Sequence, residues 1–385
     1  MGRFFPLLLL LSACGVQAQQ PGDPHEEIAR RVLSTTPLID GHNDLPWAIR
    51  TSPTAPGDVA AYGLAGRTTG QTDIPRLREG MVGGQFWSVY VPPSAAASGT
   101  AAAMQREQIA IAKEIFASFP EHFEEVRSSS EVMPAFRSGR IASMLGMEGG
   151  HVIENSLDLL REFYDLGARY LTLTHSENTD WADAATATPR HGGLSPFGEE
   201  VVREMNRLGM LVDLSHVSAA TMHDAIDVSE APVIFSHSSA RGITNVARNV
   251  PEDVLRRIPE NGGVVMITYV PTFVSRAVAQ WSAMTDEERA GRTPPSASID
   301  DVVSHIEHVR DVAGIDHVGL GADYDGIESL PLGLEDVSTY PRLLAELSRR
   351  GWSEPDLRKL AGENILRAWA EAEAVAARLQ TGGQD

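Results

Sequence analysis

The chain has 385 residues, with 52 acidic side chains against 32 basic ones and a formal net charge of −20. This balance excludes nucleic acid and anionic lipid surfaces as docking partners, because both need clustered Lys and Arg. The 42% hydrophobic content supplies ample core for one large barrel or two average domains. The acidity then fits either a solubilising surface or a cleft that collects cations.

Arg3 precedes the apolar run Phe4 to Leu11, which is too short to span a bilayer. Residues 1–18 therefore have the form of a secretory signal segment outside the fold. Two cleavage sites compete. Leu11-Ser12-Ala13-Cys14 resembles a bacterial lipobox, and Val16-Gln17-Ala18 resembles an ordinary signal-peptidase site. The lipobox is favoured, since the single cysteine of the chain stands at the position that is acylated. Either way no internal disulfide forms. The expected location is extracytoplasmic, periplasmic or held to the membrane as a lipoprotein. The polar stretch Gln380 to Asp385 offers no apolar tail for a second anchor.

A single domain is expected over residues 23–378. Its candidate strands are, in order, Leu38–Asp40, Phe86–Val91, Ile141–Met147, Arg169–Leu173, Leu211–Leu214, Val233–Phe235, Val264–Thr268 and Val318–Gly321. They are nearly continuously apolar, as parallel strands covered by helices are. Gly80 to Gly84 precedes the second strand and reads as a turn. Thr51 to Gln71, Pro92 to Ala103 and Trp281 to Ser298 are rich in Ala, Gly, Pro, Ser or Thr and read as loops. Between strands the pattern turns helical. Ser156 to Leu166 places Leu157, Leu160, Phe163 and Tyr164 three and four residues apart and stops at Gly167. Ser195-Pro196 opens the next helix with a cap and a first-turn proline, and Gly209 closes it. The alternation predicts an α/β fold closed as a (β/α)₈ barrel of the TIM type. An open doubly wound sheet ranks second, since no glycine-rich phosphate loop follows a strand.

Six of the eight strands end in polar residues. The first ends in Asp40-Gly41-His42-Asn43-Asp44, the third in Glu148-Gly149-Gly150-His151, the fourth in Thr174-His175, the fifth in Ser215-His216, the sixth in Ser236-His237 and the eighth in Gly321-Ala322-Asp323. One strand-end histidine is usually a loop residue bonded to backbone. Six such endings converge at one mouth in a barrel. Imidazole and carboxylate donors without a thiolate cage suit a borderline divalent cation such as zinc. One Asp, one Glu and three His are enough for two metals if the Glu bridges them, and such a pair generates a hydroxide at neutral pH. His305 and His308, three apart in the predicted helix Ile299 to Val312, are assigned to a solvated face. His25, His122 and His223 stand alone. No Gly-x-Ser-x-Gly elbow accompanies Ser215 or Ser236, and no His-Glu-x-x-His helix occurs.

These motifs together resemble one family, the membrane (renal) dipeptidases and their bacterial relatives in the amidohydrolase superfamily. The matching stretches are Ile39-Asp40-Gly41-His42-Asn43-Asp44-Leu45-Pro46-Trp47, Met147-Glu148-Gly149-Gly150-His151 and Arg169-Tyr170-Leu171-Thr172-Leu173-Thr174-His175. After them come Asp213-Leu214-Ser215-His216, Phe235-Ser236-His237-Ser238-Ser239-Ala240, Arg248-Asn249-Val250-Pro251 and Gly321-Ala322-Asp323-Tyr324-Asp325-Gly326. The resemblance implies two Zn²⁺ per chain, one on His42 and Asp44, the other on His216 and His237, with Glu148 bridging both. It implies that His175 binds substrate and its tetrahedral intermediate, that Arg248 lies near the substrate carboxylate, and that Asp323 handles the proton. The implied activity is hydrolysis of dipeptides with a free C-terminal carboxylate, often with a D-residue there. Animal members carry a C-terminal glycolipid anchor and disulfides, and this sequence shows neither, so a homodimer here would be noncovalent. The acidic residues in Ser176-Glu177-Asn178-Thr179-Asp180-Trp181 are positioned to tune substrate preference.

Two other functions compete: a related binuclear hydrolase of another small amide, a β-lactam or an N-acyl amino acid, and a noncatalytic binding protein on the same scaffold. The second is disfavoured because every presumed ligand and Asp323 are present.

Overall fold

Nine parallel strands form the sheet of the computed structural model, which describes residues 1, 2 and 22–382. The apolar run, both cleavage sites and Cys14 lie outside the described residues. The strands are β1 (Leu38–Asn43), β2 (Val82–Ser88), β3 (Phe123–Glu125), β4 (Ile141–Glu148), β5 (Ala168–Thr172), β6 (Leu211–Asp213), β7 (Val233–Phe235), β8 (Val264–Ile267) and β9 (Val318–Leu320). Eight close a ring in the order β1-β2-β4-β5-β6-β7-β8-β9, with β9 returning to β1. The expected barrel is thus the observed one. The eight barrel strands are buried along their length because helices cover the outside and side chains fill the inside.

The ninth strand, β3, escapes a reading based on apolar runs, since Phe123-Glu124-Glu125 has one apolar residue. It pairs with Ile141 to Ser143 of β4, whereas β5 pairs with Leu145 to Glu148. One edge of β4 is therefore shared end to end by two strands. The second barrel strand begins earlier than expected, at Val82, so Gly83 and Gly84 belong to the strand and not to a turn. A Cβ on Gly83 would lie 2.6 Å from Pro37 Cα. Glycine inside a strand marks this kind of close approach.

The predicted helix signals act locally as expected. Ser156 caps Leu157–Asp165 and Ser195 caps Pro196–Leu208, each accepting a backbone N–H with its hydroxyl, and Gly209 ends the second helix with a φ of 79°. The three expected loops each contain a short helix, Val59–Tyr62, Ser94–Ala97 and Asp286–Arg289. His305 corrects the sequence reading outright. It lies on the buried face of helix Ile299–Ala313, where Nδ1 accepts from Ala240 N at 2.9 Å and Nε2 donates to Val274 O at 3.0 Å. Burial lowers its pKa to about 4, so the ring is neutral and structural. It pins the segment that carries Arg248. His308 is half-buried against Glu252.

The end of the barrel where the strands begin is sealed. The turn Lys359–Glu363 packs Gly362 against Pro37, and Asn364 donates to the carbonyls of Ile315 and Val318. From there helix Asn364–Thr381 brings Trp369 into one cluster with the barrel side chains Ile39, Phe86, Met144 and Tyr170. A fully buried ring of that size is worth about 4–6 kcal/mol of apolar burial. The candidate site residues lie at the opposite end, where the strands finish.

Candidate metal centre

Each candidate residue sits at or just beyond the C-terminal end of a barrel strand: His42 on β1, Asp44 just after it, Glu148 ending β4, His175 after β5, His216 after β6, His237 after β7 and Asp323 after β9. Glu148 is the hub. Its Oε2 lies 3.4 Å from His42 Nε2, which in turn lies 3.2 Å from Asp44 Oδ2. Its Oε1 lies 3.0 Å from His216 Nε2 and 3.4 Å from His237 Nε2. One carboxylate therefore turns one oxygen to each of two donor sets. Asp323 shares a ligand-sized cluster with His42 and Asp44, and His175 shares one with Glu148 and His216.

A second layer fixes which ring nitrogens face the centre. Tyr170 OH donates to Gly41 O at 3.2 Å, which leaves its oxygen to accept from His42 Nδ1 at 2.9 Å. His42 Nε2 is then bare, buried and without a hydrogen-bond partner. Tyr170 reaches this position only because residue 146 is glycine, whose Cβ would fall 1.9 Å from the Tyr170 ring. The buried carboxylate of Asp213 accepts from Ser236 N, Ser236 Oγ, Ser215 N and Thr172 Oγ1. Ser236 Oγ then accepts from His237 Nδ1 at 2.8 Å, so His237 Nε2 is bare as well. Asp40 joins two strand ends, accepting from His42 N and Gln85 with one oxygen and from Ala322 N and Tyr340 OH with the other. Metal-binding histidines are oriented by such outer contacts.

The electrostatics call for a cation. Burial lowers the pKa of His216 and His237 well below the usual imidazole value, with Arg248 adding to the effect, so both rings are neutral. Their Nε2 atoms nevertheless face each other at 2.9 Å. Two neutral ring nitrogens at that separation either share one proton or both turn lone pairs to a common electrophile. Burial alone would raise Glu148, but the surrounding His42, His216 and His237 hold it well below the carboxylate range. His42 is pushed the other way: burial would lower it, yet Tyr170, Glu148 and Asp44 together raise it strongly. Asp44, Glu148 and Asp323 thus crowd three carboxyl groups into one buried space with His42 and Arg248 as the neighbouring cations, and buried charge without good compensation is strongly unfavourable. Bound divalent cations would remove that penalty, and the His and carboxylate donors match zinc.

Two backbone positions here are strained. His216 and Asp323 have φ of 70° and 71°, a region that costs a non-glycine residue about 1–3 kcal/mol and that clusters at functional sites. The mouth opens as a cavity of about 290 Å³ lined by Asp44, Glu148, His175, His216, Arg248 and Asp323, with Trp47, Tyr90, Val270 and Phe273 around them. Arg248 is buried, lies over the Phe273 ring, and makes only long bonds of 3.4 and 3.3 Å to Ser238 Oγ and His237 O. Its Nε has no partner, and among the described residues no carboxylate pairs with it. Tyr90, 4.9 Å from His175 and 5.0 Å from Trp47, carries no motif that marks it in the sequence, whereas Asp40, Tyr170 and Asp213 lie within the matching stretches without any pattern that shows their supporting contacts. His25, His122 and His223 bond instead to Ser348, Arg78 and Asp253, respectively.

Residues 26–383 match the model of the membrane dipeptidase family, peptidase family M19. Among solved structures, a probable dipeptidase, PvdM, from Pseudomonas aeruginosa superposes with a TM-score of 0.80 at 23% identity, covering 92% of this chain and all of that one. A dipeptidase described as a metallopeptidase of family M19 gives 0.76 at 28% identity, covering 88% and 99%. A metallopeptidase from Rhodobacter sphaeroides, liganded with a phosphinate mimic of the dipeptide L-Ala-D-Ala, gives 0.75 at 28% identity with the same coverage.

Proposed function

Because this chain belongs to the membrane dipeptidase family and is a metallodipeptidase, we propose that it uses two zinc ions to hydrolyse dipeptides with a free C-terminal carboxylate. His42 and Asp44 would hold one ion, His216 and His237 the other, and Glu148 would give an oxygen to each. When bound, such a pair supplies a water acidic enough to attack at neutral pH and polarises the scissile carbonyl.

The observation that carries the substrate class is Arg248, a buried guanidinium facing the cavity without a carboxylate of its own. A planar guanidinium pairs with a terminal carboxylate through two hydrogen bonds, a geometry that Lys cannot reproduce. Arg248 thereby fixes the carboxyl-terminal residue and sets the peptide bond over Glu148. His175 is held neutral by burial, with Arg248 adding to the effect, so its Nε2–H can donate to the oxygen that gains charge as the carbonyl becomes tetrahedral. Asp323 takes the proton from the attacking water and hands it to the leaving amine. The phosphinate ligand of the Rhodobacter sphaeroides relative supports this reading, since its phosphorus is tetrahedral as the attacked carbon would be.

The test compares a dipeptide with its C-terminal amide. Losing one partner of a desolvated charge pair costs about 2–5 kcal/mol, or roughly 30- to several-thousand-fold in kcat/KM. Wild type should prefer the free carboxylate by a factor in that range. Arg248→Ala should shrink the preference, and Arg248→Lys should lose much of the activity on free dipeptides. Equal hydrolysis of both substrates by wild type would make a general amidase the better account.

We also propose an extracytoplasmic location with Cys14 as a lipid attachment point, on the strength of the lipobox pattern. Cell fractionation should find the protein in membranes, and Cys14→Ser should abolish lipid labelling. A soluble mature form beginning near Gln19 would assign the other cleavage site.

A further inference from the structure

The chain between β5 and helix Pro196–Leu208 is built around one carboxylate. Residues 176–194 follow His175 and wind about Asp183, which is fully buried. Its Oδ1 accepts from Arg190 N at 2.8 Å and His191 N at 3.1 Å, and its Oδ2 from Gly192 N at 2.8 Å and Gly193 N at 3.1 Å. Gly192 and Gly193 make this possible, with φ of 76° and 135° that turn successive N–H groups toward one anion. Burial works against the charge, but these N–H groups hold the carboxyl below the usual aspartate value. Asp183 does not line the cavity over Glu148, so it has no part in the chemistry itself.

The backbone beside that carboxylate grips the metal centre from outside. Asp183 O accepts from Ser218 N at 2.8 Å and from Thr221 Oγ1 at 2.9 Å. Ala184 pairs with Val217 as a short antiparallel bridge, and Ala185 N donates to His216 O at 2.7 Å. Residues 183–185 therefore clasp residues 216–218, the turn that leaves β6. At its head stands His216 with φ 70°, a conformation that persists only where the surroundings over-determine it. Released from the clasp, this backbone would relax toward an ordinary φ. Its Nε2 would then leave Glu148 Oε1, 3.0 Å away, and His237 Nε2, 2.9 Å away. His42 and Asp44 are held from elsewhere, their backbone N–H groups donating to Asp40 Oδ1 and Tyr324 O, respectively.

We propose that Asp183 is a positioning residue for His216. Its carboxylate sets the knot over residues 183–193, and the knot holds the strained backbone that aims His216 Nε2 into the metal centre. The inference rests on the two-ion reading above. It makes the ion on His216 and His237 dependent on Asp183, and the ion on His42 and Asp44 independent of it.

The experiment follows zinc binding to the metal-stripped full chain by competition with a chromophoric chelator, beside a thermal melt. Wild type should show two binding events, and His216→Ala should abolish one of them. Asp183→Asn keeps the shape of the side chain but turns an NH₂ group toward backbone donors. It should weaken by about 10–100-fold the same event that His216→Ala abolishes, the range for outer contacts of metal ligands, and leave the other in place. Adding Asp183→Asn to His216→Ala should then change nothing further in zinc binding. A residue that merely supported the fold would weaken both events alike. Ala185→Pro deletes the N–H that donates to His216 O and spares the carboxylate. It should reproduce the selective loss, and it decides alone if Asp183→Asn does not fold. Two events of wild-type strength in either folded variant, or an equal weakening of both, overturns the positioning role while leaving the two-ion reading intact. A wild type that binds fewer than two zinc ions overturns that reading and the positioning role with it.

Discussion

Glu148→Ala should bind fewer than two metal ions per chain and show no measurable dipeptidase activity. Its two carboxylate oxygens lie 3.4 Å from His42 Nε2 on one side and 3.0 Å from His216 Nε2 on the other. Removing them strips a donor from both sets at once. The His216 and His237 pair is then left with two neutral nitrogens, too few for the tetrahedral shell that zinc prefers. His42 with Asp44 fares little better. The proposed chemistry needs both ions around one water, so the loss in rate should exceed that of any single outer-layer change. Metal analysis of the purified variant, beside a thermal melt that shows it folded, measures the first half. A dipeptide assay with added zinc measures the second. Two bound metals and full activity in the variant would end the binuclear account, as would wild-type activity that survives thorough chelation.

Much of this hub is legible in the amino-acid sequence. Long apolar runs that end in His, Asp or Glu signal barrel strands with a polar mouth, and Asp40 to Asp44, Met147 to His151 and Asp213 to His216 show the pattern plainly. What the sequence hides is of two kinds. Tyr170, Gln85 and Asp213 lie inside strands, where a side chain that points into the barrel and one that points to the helices look alike in sequence. That Tyr170 carries His42 depends on the space at Gly146, a residue pair from adjacent strands that no local pattern reveals. The second kind is tertiary override of a local rule. His305 in helix Ile299–Ala313 has polar neighbours at Asp301, Ser304 and His308, so it passes for surface, yet Ala240 N and Val274 O satisfy both its ring nitrogens in the core. Likewise β3 exists because half of one β4 edge needed a partner, and not because Phe123 to Glu125 favours a strand. A polar residue in an otherwise apolar helical stripe is the available signal for His305. It is ambiguous, since the same stripe position suits a solvated turn.

Asp323→Asn should keep both metals and lose about 10²–10⁴-fold in kcat, the span that general acid–base help usually covers. The substitution isolates the proton. Asn has the same shape, tolerates the left-handed conformation that Asp323 adopts at φ 71°, and leaves the bond from its backbone N–H to His42 O in place. Folding and the mouth should therefore survive. What is lost is a carboxyl group that burial pushes strongly upward, with Asp44 and Glu148 raising it further against the pull of His42 and Arg248. A raised proton affinity suits a group proposed both to accept and to return a proton. Bound cations at Glu148 would pull against that rise. Accordingly the acidic limb of the wild-type kcat profile should report this group, and it should vanish in Asp323→Asn while KM changes little. Geometry alone leaves one competitor, because His42, Asp44 and Asp323 also present a set of ligand atoms within 4.8 Å of one another. Metal content separates the two roles. If Asp323→Asn carries a single ion per chain, Asp323 is a ligand and the proton travels by another route; if it carries two with kcat reduced and the acidic limb gone, the proton is its work.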